Sequence, residues 1–289
     1  MTMTSAHDEY MTVRPRLFGI AYRMLGSATE AEDILQDVWI RWQDVDLASV
    51  ESPAAYLATA TTRASINAAT TARARRENYI GPWLPEPVDT SNDPCLGAER
   101  SEALEFAVLL LLEKLNPVER AAYVLREAFD YPYPVIADIV QLNQPAVRQL
   151  VSRARKHLAE ERRSPVSGAQ QRRLLEAFLK AAQAGDLEAL ESLFAEDVVS
   201  TSDGGGKNKL AARIRMCGAH RVAQFIAAFA SHFWVGVEIR WMQINGQRAA
   251  VLSWDGVVKT IATVTVADNG IEQVMWLMNP EKLGAFQTR

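Results

Sequence analysis

The chain has 289 residues, 48% of them hydrophobic and 23% charged, with a formal net charge of −4. That length has room for about two or three small domains, each with an apolar core, and excludes a disordered, collagenous or disulfide-stapled chain. The opening MTMTSAHDEY lacks a basic segment followed by an apolar run, and no later stretch approaches the length of a membrane span, so a cytoplasmic protein with no membrane association is expected. Cys95 and Cys217 lie far apart and make neither a metal-ligand pattern nor a disulfide framework; no metal and no cofactor are expected.

Ser27 followed three residues later by Glu30 reads as a capping box, which starts a helix running to Trp42. Ile34, Leu35, Val38 and Trp42 form its apolar stripe, and Glu32, Asp33, Gln36 and Asp37 gather on another face. Asp33 and Asp37 are one turn apart, and like charges at that spacing cost a helix about 0.2–0.5 kcal/mol, so the cluster does not serve the helix itself. Charge alone also suits a solvated face.

Ser52 and Pro53 supply an N-cap and first-turn proline for a second helix, which passes through Tyr56, Leu57 and Ile66 to Arg73, Arg75 and Arg76. With Arg63, these arginines fall in a stretch without acids, so an acidic protein carries a local basic patch. Gly81-Pro82-Trp83-Leu84-Pro85-Glu86-Pro87 and the segment from Asp89 to Pro94 cannot sustain a helix or a central strand and read as a linker. A flexible tether has no use for the apolar surface of Trp83, which gains by packing.

The run EALEFAVLLLLEKL is too short for a bilayer and reads as a buried helix. Asn116, Pro117 and Glu119 start another, a third begins near Pro134, and Asn143 with Pro145 starts a fourth. The short gap between the last two is helix-turn-helix spacing. Val147, Leu150 and Val151 make the inner face of the last helix; Arg148, Gln149, Ser152, Arg153, Arg155 and Lys156 make the outer one, with donors suited to base edges and phosphates.

Ser164 to Gly168 reads as a second linker. A helix bearing Leu174, Leu175, Phe178 and Leu179 then ends at Gly185, Asp186 caps a short helix, and a strand begins at Val198. The turn signals Asn245-Gly246, Asp255-Gly256 and Asn269-Gly270 separate runs rich in Val, Ile, Thr and Trp, which predicts an antiparallel meander packed on helices. The stretch Asp203-Gly204-Gly205-Gly206-Lys207 lacks the Ser or Thr and the glycine spacing of a phosphate loop, and reads instead as a place of close backbone approach.

Several stretches resemble known families. RPRLFGIAYRMLGSATEAEDILQDVWIRW resembles region two of bacterial sigma factors of the extracytoplasmic-function type, and ERAAYVLRE followed by RQLVSRARKHL resembles their region four. GPWLPEP, Asp203 to Lys207 and the closing Asn279-Pro280-Glu281-Lys282-Leu283 resemble motifs of the group carrying an extra C-terminal domain, and the C-terminal pattern resembles a SnoaL-like cone. The resemblance implies a multidomain chain, two all-α sigma domains (the second a helix-turn-helix) followed by an α+β SnoaL-like cone. The expected segments are 1–78, a linker at 79–99, 100–163 and 164–289.

As the resemblance has it, Glu32, Asp33, Gln36 and Asp37 face the β′ subunit of core RNA polymerase. Arg63, Asn67, Arg73, Arg75 and Arg76 serve the −10 promoter element, and Arg148, Gln149, Ser152, Arg153, Arg155 and Lys156 the −35 element. Trp83, Leu84 and Pro85 are expected near Asp203, Gly204, Gly205, Gly206 and Lys207 in a contact through which the cone regulates the sigma factor in cis. The sequence departs from the family at Asn67, where aspartate is usual, at Ala68 to Thr71, where basic residues are, and at Gln141, where a turn glycine is. Isomerases of the cone fold use a tyrosine and a protonated aspartate beside an aspartate base. All seven tyrosines here precede the domain, so Asp203, His220, His232 and Asp255 read as structural, and no catalysis is expected. The rival readings are an isomerase or cyclase with a DNA-binding front end, and a simple helix-turn-helix repressor. A small-molecule ligand of the cone is left open.

Overall fold

The computed structural model describes residues 6–93, 104–161 and 167–287, apart from the side chains at 73–75 and 161. Cys95, the side chains of Arg73 and Arg75, residues 94–99 of the first expected linker and 164–166 of the second therefore lie outside the described residues. The chain divides into two compact units, Met1–Glu77 with Asn92–Glu161, and Asn78–Ser91 with Arg162–Arg289.

In the first unit, α1 (Ala6–Leu25), α2 (Ala28–Gln43) and α3 (Pro53–Glu77) pack together, and α4 (Phe106–Leu112), α5 (Pro117–Glu127), α6 (Tyr133–Val140) and α7 (Gln144–Glu161) follow. The helix starts follow local chemistry. The Ser27 side chain accepts from the Glu30 N–H at 3.2 Å, Asn116 Oδ1 from Glu119 N–H at 2.9 Å and Asn143 Oδ1 from Ala146 N–H at 2.9 Å, each satisfying an amide left free in the first turn. Leu17, Ile20, Leu35, Trp42 and Leu57 are fully or almost fully buried, each contributing about 1.5–3 kcal/mol. Tyr10 Oη donates to Leu35 O at 3.0 Å, tying α1 to α2.

Between α6 and α7, Gln141 adopts the left-handed conformation at φ 57° and its N–H bonds to Ala137 O. The turn that glycine usually makes is thus made by glutamine, at a steric cost.

The second unit begins with α8 (Gly168–Ala184), ended by Gly185 at φ 64°, and α9 (Leu187–Leu193), capped by Asp186. Among the described residues it holds one sheet, built from β1 (Phe194–Asp203), β2 (Met216–Cys217), β3 (Val237–Ile244), β4 (Gln247–Trp254), β5 (Val257–Ala267) and β6 (Gly270–Leu277) in the order β2-β1-β6-β5-β4-β3. The last four strands form the expected antiparallel meander, while β1 starts at Phe194 and runs parallel to β6. Asn245-Gly246 and Asp255-Gly256 both have positive φ at both residues, as two-residue hairpins require. At the third turn only Gly270 does, at 124°. There the backbone lies against α9's end, where an added Cβ would stand 2.7 Å from Leu193 O. Helices α8, α10 (Ala219–Ala228) and α11 (Ala230–Phe233) close the concave face over Phe178, Leu179, Leu252, Val264 and Val274.

Gln141→Gly is expected to stabilise the first unit. Relief of about 1–2 kcal/mol of left-handed strain outweighs the roughly 0.4–1 kcal/mol that glycine's freedom adds to the unfolded state. Thermal unfolding of the full chain should show a midpoint higher by about 1–4 °C.

Candidate functional site

The acidic face of α2 is presented by the burial of its opposite side. Ala31, Leu35, Val38 and Trp42 are in the core, and Glu32, Asp33, Gln36 and Asp37 are all exposed. Glu32 pairs with Arg14 at 2.6 Å in a solvent-exposed geometry worth at most about 1 kcal/mol. Asp33, Gln36 and Asp37 make no side-chain bond to another described residue. Beside them, a groove between α1 and α2 is lined by His7, Tyr10, Met11, Glu32, Gln36 and Trp39. Met11 and Ile40 are 49% and 52% exposed, an apolar margin that sequence reasoning did not include. Its signal was available as apolar residues off the buried stripe.

The basic residues split by environment. On α7, Arg148, Gln149, Ser152, Arg153, Arg155 and Lys156 are all exposed along one side, because Val147, Leu150, Val151 and Ala154 hold the other side in the core. The Arg148 guanidinium lies 4.7 Å from the Tyr133 ring centroid, and Arg155 pairs with Glu127 of α5 at 2.6 Å. On α3, Asn67 is exposed, whereas Arg63 donates through Nε to Ile139 O and through Nη2 to Asp138 O, both at 2.9 Å. Arg76 bonds Glu113 and Leu25 O. Arg120, 5% exposed, donates to Met24 O and to Glu113, each at 2.6 Å, and Arg16 donates to Phe129 O at 2.8 Å. A seam of arginines thus joins the first three helices to the helix-turn-helix part, within the first unit.

In the second unit, Asp203 is fully buried at the end of β1. Its Oδ1 accepts from Tyr79 Oη at 2.6 Å and Gly205 N–H at 3.1 Å; its Oδ2 accepts from Leu84 N–H at 2.9 Å and Lys282 Nζ at 2.7 Å. Lys282 also donates to Leu84 O, and its ammonium lies 4.7 Å from the Trp83 ring centroid and 5.3 Å from that of Tyr79. Leu84 and Pro85 are buried and Trp83 half-buried. Asn279 donates to Tyr79 Oη at 2.9 Å. The three motifs thus meet around one carboxylate. Close approach needs the glycines: Gly205, at φ 59°, leaves no room for a Cβ beside the Asn279 side chain, and Gly206, at φ 72°, lies against Ile80. Gly204 is buried, and Lys207 pairs with Glu281 at the surface.

Tyr79 and Lys282 are site residues that sequence reasoning missed. The tyrosine was set aside because it precedes the domain in sequence, yet it joins the second unit in space. A second attachment was missed as well. Thr90 N–H bonds Gln243 O and Asn245 N–H bonds Val88 O, both at 2.9 Å, so residues 88–90 extend the sheet edge at the β3–β4 turn. His220 pairs with Glu191 and His232 contacts Ser231, both at exposed positions. Among the described residues no cluster suits a metal, and no helix is long and apolar enough to cross a membrane.

The comparisons with known proteins agree with these parts. Residues 10–75 match the model for Sigma-70 region 2, residues 105–158 that for Sigma-70 region 4, and residues 175–277 that for the SnoaL-like domain. The chain is 32% identical over 290 residues to the ECF RNA polymerase sigma factor SigJ of Mycobacterium tuberculosis, covering 95% of this chain and 92% of that one. It is 28% identical over 276 residues to the probable ECF RNA polymerase sigma factor SigI of the same species, covering 93% and 92%. The crystal structure of the M. tuberculosis extracytoplasmic function sigma factor SigJ matches with a TM-score of 0.76 at 30% identity, covering 96% of this chain and 98% of that one.

Burial, followed by the hydrogen bond to the Asp203 carboxylate, holds the Tyr79 phenol well above its ordinary value of 10.0. The folded protein therefore keeps a proton that the unfolded chain loses. The stabilisation is complete below pH 10.0 and is lost as pH rises through the folded-state value. Urea unfolding of the full chain should show this alkaline loss, and Tyr79→Phe should make it shallower. An identical alkaline slope in the two proteins would remove Tyr79 from the account.

Proposed function

Because the chain belongs to the ECF RNA polymerase sigma factors, we propose that the acidic face of α2, Glu32, Asp33, Gln36 and Asp37, is its docking surface for the β′ subunit. As a sigma factor, the protein directs RNA polymerase to promoters and binds promoter DNA. The observation that carries the docking assignment is that Asp33, Gln36 and Asp37 stand exposed without a partner among the described residues, although like charges one turn apart cost helix stability. Met11 and Ile40 would add apolar contact at its margin. Transcription by this polymerase takes place in the cytoplasm, and the segments 1–78, 79–99, 100–163 and 164–289 are read as its working parts.

For promoter recognition, α7 presents Arg148 and Gln149 near its start for −35 base edges, with Ser152, Arg153, Arg155 and Lys156 along the phosphates. Helix α3, from Arg63 and Asn67 to Arg73, Arg75 and Arg76, serves the −10 element. The two elements lie about 25 base pairs apart, roughly 85 Å of duplex at about 3.4 Å per pair. Two small domains packed through the arginine seam do not reach that far, so the arrangement of the first unit is read as a closed form. Opening frees Arg63 from the carbonyls of α6 and Arg76 from the Glu113 carboxylate for phosphates.

The contact of Trp83, Leu84 and Pro85 with the loop from Asp203 to Lys207 is read as the regulatory one, because it holds the linker by a buried charge pair. The second unit acts without catalysis in this reading. Tyr79 and Asp203 are residue types that isomerases of this fold use. Here, however, the Tyr79 hydroxyl donates to Asp203, which also accepts from Leu84, Gly205 and Lys282, so neither is turned to a substrate oxygen.

Replacing both Asp33 and Asp37 by Ala should change stability by no more than about 0.5 kcal/mol while weakening core-polymerase binding at least about tenfold. Unchanged affinity would show that the face is merely solvated. For regulation, loss of the tail after Asn279 removes Lys282 and should raise transcription from a cognate promoter, whereas removal of residues 169–289 should lower it. Equal activity of these two, Trp83→Ala and the full chain would return the linker to a plain tether.

A further inference from the structure

The second unit carries a basic surface that the promoter contacts proposed above do not include. From Gly204 to Val237 the chain has no Asp or Glu, and Lys207, Lys209, Arg213, Arg215 and Arg221 all fall in that stretch of a protein whose net charge is −4. All of these cations are exposed. Lys207 pairs with Glu281, and His220 of the same stretch with Glu191. Lys209, Arg213, Arg215 and Arg221 make no side-chain bond to another described residue. Like charges gathered on one surface repel one another, a cost that an anionic partner removes.

The segment is anchored at both ends. Lys207 N–H and Asn208 N–H donate to Gly204 O at 2.9 and 3.1 Å, the Asn208 amide donates to Met278 O at 3.2 Å, and Leu210 N–H donates to Asn208 Oδ1 at 2.9 Å. At the far end Met216 and Cys217 pair with Ser200 and Val199 of β1. Lys209, Arg213 and Arg215 lie between these anchors, so their backbone is already placed and binding orders only the side chains.

The same segment passes the start of the linker. A Cβ added to Gly81 would stand 3.7 Å from Arg213 Cα, and one added to Gly206 would stand 3.0 Å from Ile80. The chain from Arg76, at the end of α3, to Gly81 spans at most about 18 Å even when fully extended. Covalent connection therefore keeps the Arg213 and Arg76 side chains within about 35 Å of each other, roughly ten base pairs of duplex, however the two units move. We propose that Lys209, Arg213 and Arg215 bind the phosphates of promoter DNA next to the −10 element, a sequence-independent contact added by the second unit. The phosphate backbone is the partner because α3 brings that polyanion within reach of cations that have no other counter-charge. An acidic protein surface is the rival, and it would also cover Leu210 and Ile214, which are 64% and 67% exposed in the same segment. The position beside the −10 element rests on the assignment of α3 to that element; the phosphate contact does not.

The test uses core polymerase reconstituted with the full chain and reads promoter affinity against salt concentration. Each phosphate contact contributes about 0.9 to the slope of log affinity against log salt, so combining Lys209→Gln, Arg213→Gln and Arg215→Gln should lower that slope by about two to three units. At about 0.1 M salt promoter binding should weaken by about tenfold, equally on promoters that differ in −35 sequence, while affinity for core polymerase and the unfolding midpoint stay those of the parent. Arg213→Lys with Arg215→Lys should keep the slope, because a contact of this kind needs charge rather than the guanidinium fork. Hydroxyl-radical footprinting of the triple variant should lose protection within about ten base pairs of the −10 element. An unchanged slope would overturn the proposal. So would a parallel loss of core-polymerase affinity, or an equal loss of promoter affinity in Leu210→Ser with Ile214→Ser, since either assigns the surface to a protein partner. Protection lost only farther away would overturn the position beside the −10 element. Lys156→Gln in α7 is the reference: a slope lowered by about one unit there and unchanged in the triple variant rejects the new surface alone, and no change in either rejects the reading of α7 as well.

Discussion

A carboxylate taken fully out of water holds the second unit together. Asp203 accepts four hydrogen bonds from three parts of the chain, namely Tyr79 and Leu84 of the linker, the adjoining Gly205, and Lys282 of the closing motif. Burying an ionised group costs several kcal/mol unless its partners are well placed, so loss of any one donor is felt by the others. The linker is therefore a structural component of this unit. Its Trp83 closes over the Lys282 ammonium, and residues 88–90 bond to the β3–β4 turn, so the segment is held at two places by unrelated chemistry.

The first unit rests on a different use of charge. Arg63 donates to carbonyls in the last turn of α6, and Arg120 and Arg76 donate to carbonyls at the end of α1. Helix C-termini carry unsatisfied carbonyls and partial negative charge, and a guanidinium satisfies both. A DNA phosphate offers the same chemistry with a full charge. In the proposed reading, promoter DNA would compete for these guanidinium groups, a physical basis for exchange between a closed and a bound form.

The two readings of Tyr79 illustrate the limit of linear position. Placed by sequence, it opens the linker expected at 79–99, and the cone is left with no tyrosine. Placed in space, it donates to the aspartate of the cone, because a linker of prolines and small residues runs back along the sheet. Lys282 is similar. As part of a closing motif it is one charge among many, and only its 13% side-chain exposure beside Asp203 gives it a role.

What the amino-acid sequence by itself determined was local. Caps at Ser27, Asn116, Asn143 and Asp186, the apolar stripes of α2 and α7, and the Asn-Gly and Asp-Gly hairpins were legible because each depends on residues a few positions apart. The acidic face and the outer face of α7 followed from the same periodicity, and family motifs pointed to the meeting of linker and glycine-rich loop. Tertiary structure alone decided the parallel pairing of β1 with β6, the left-handed Gln141 and the engagement of Arg63 and Arg76 with carbonyls. Each of these depends on which groups are brought together after the local elements pack, and on which polar atoms that packing leaves to be satisfied.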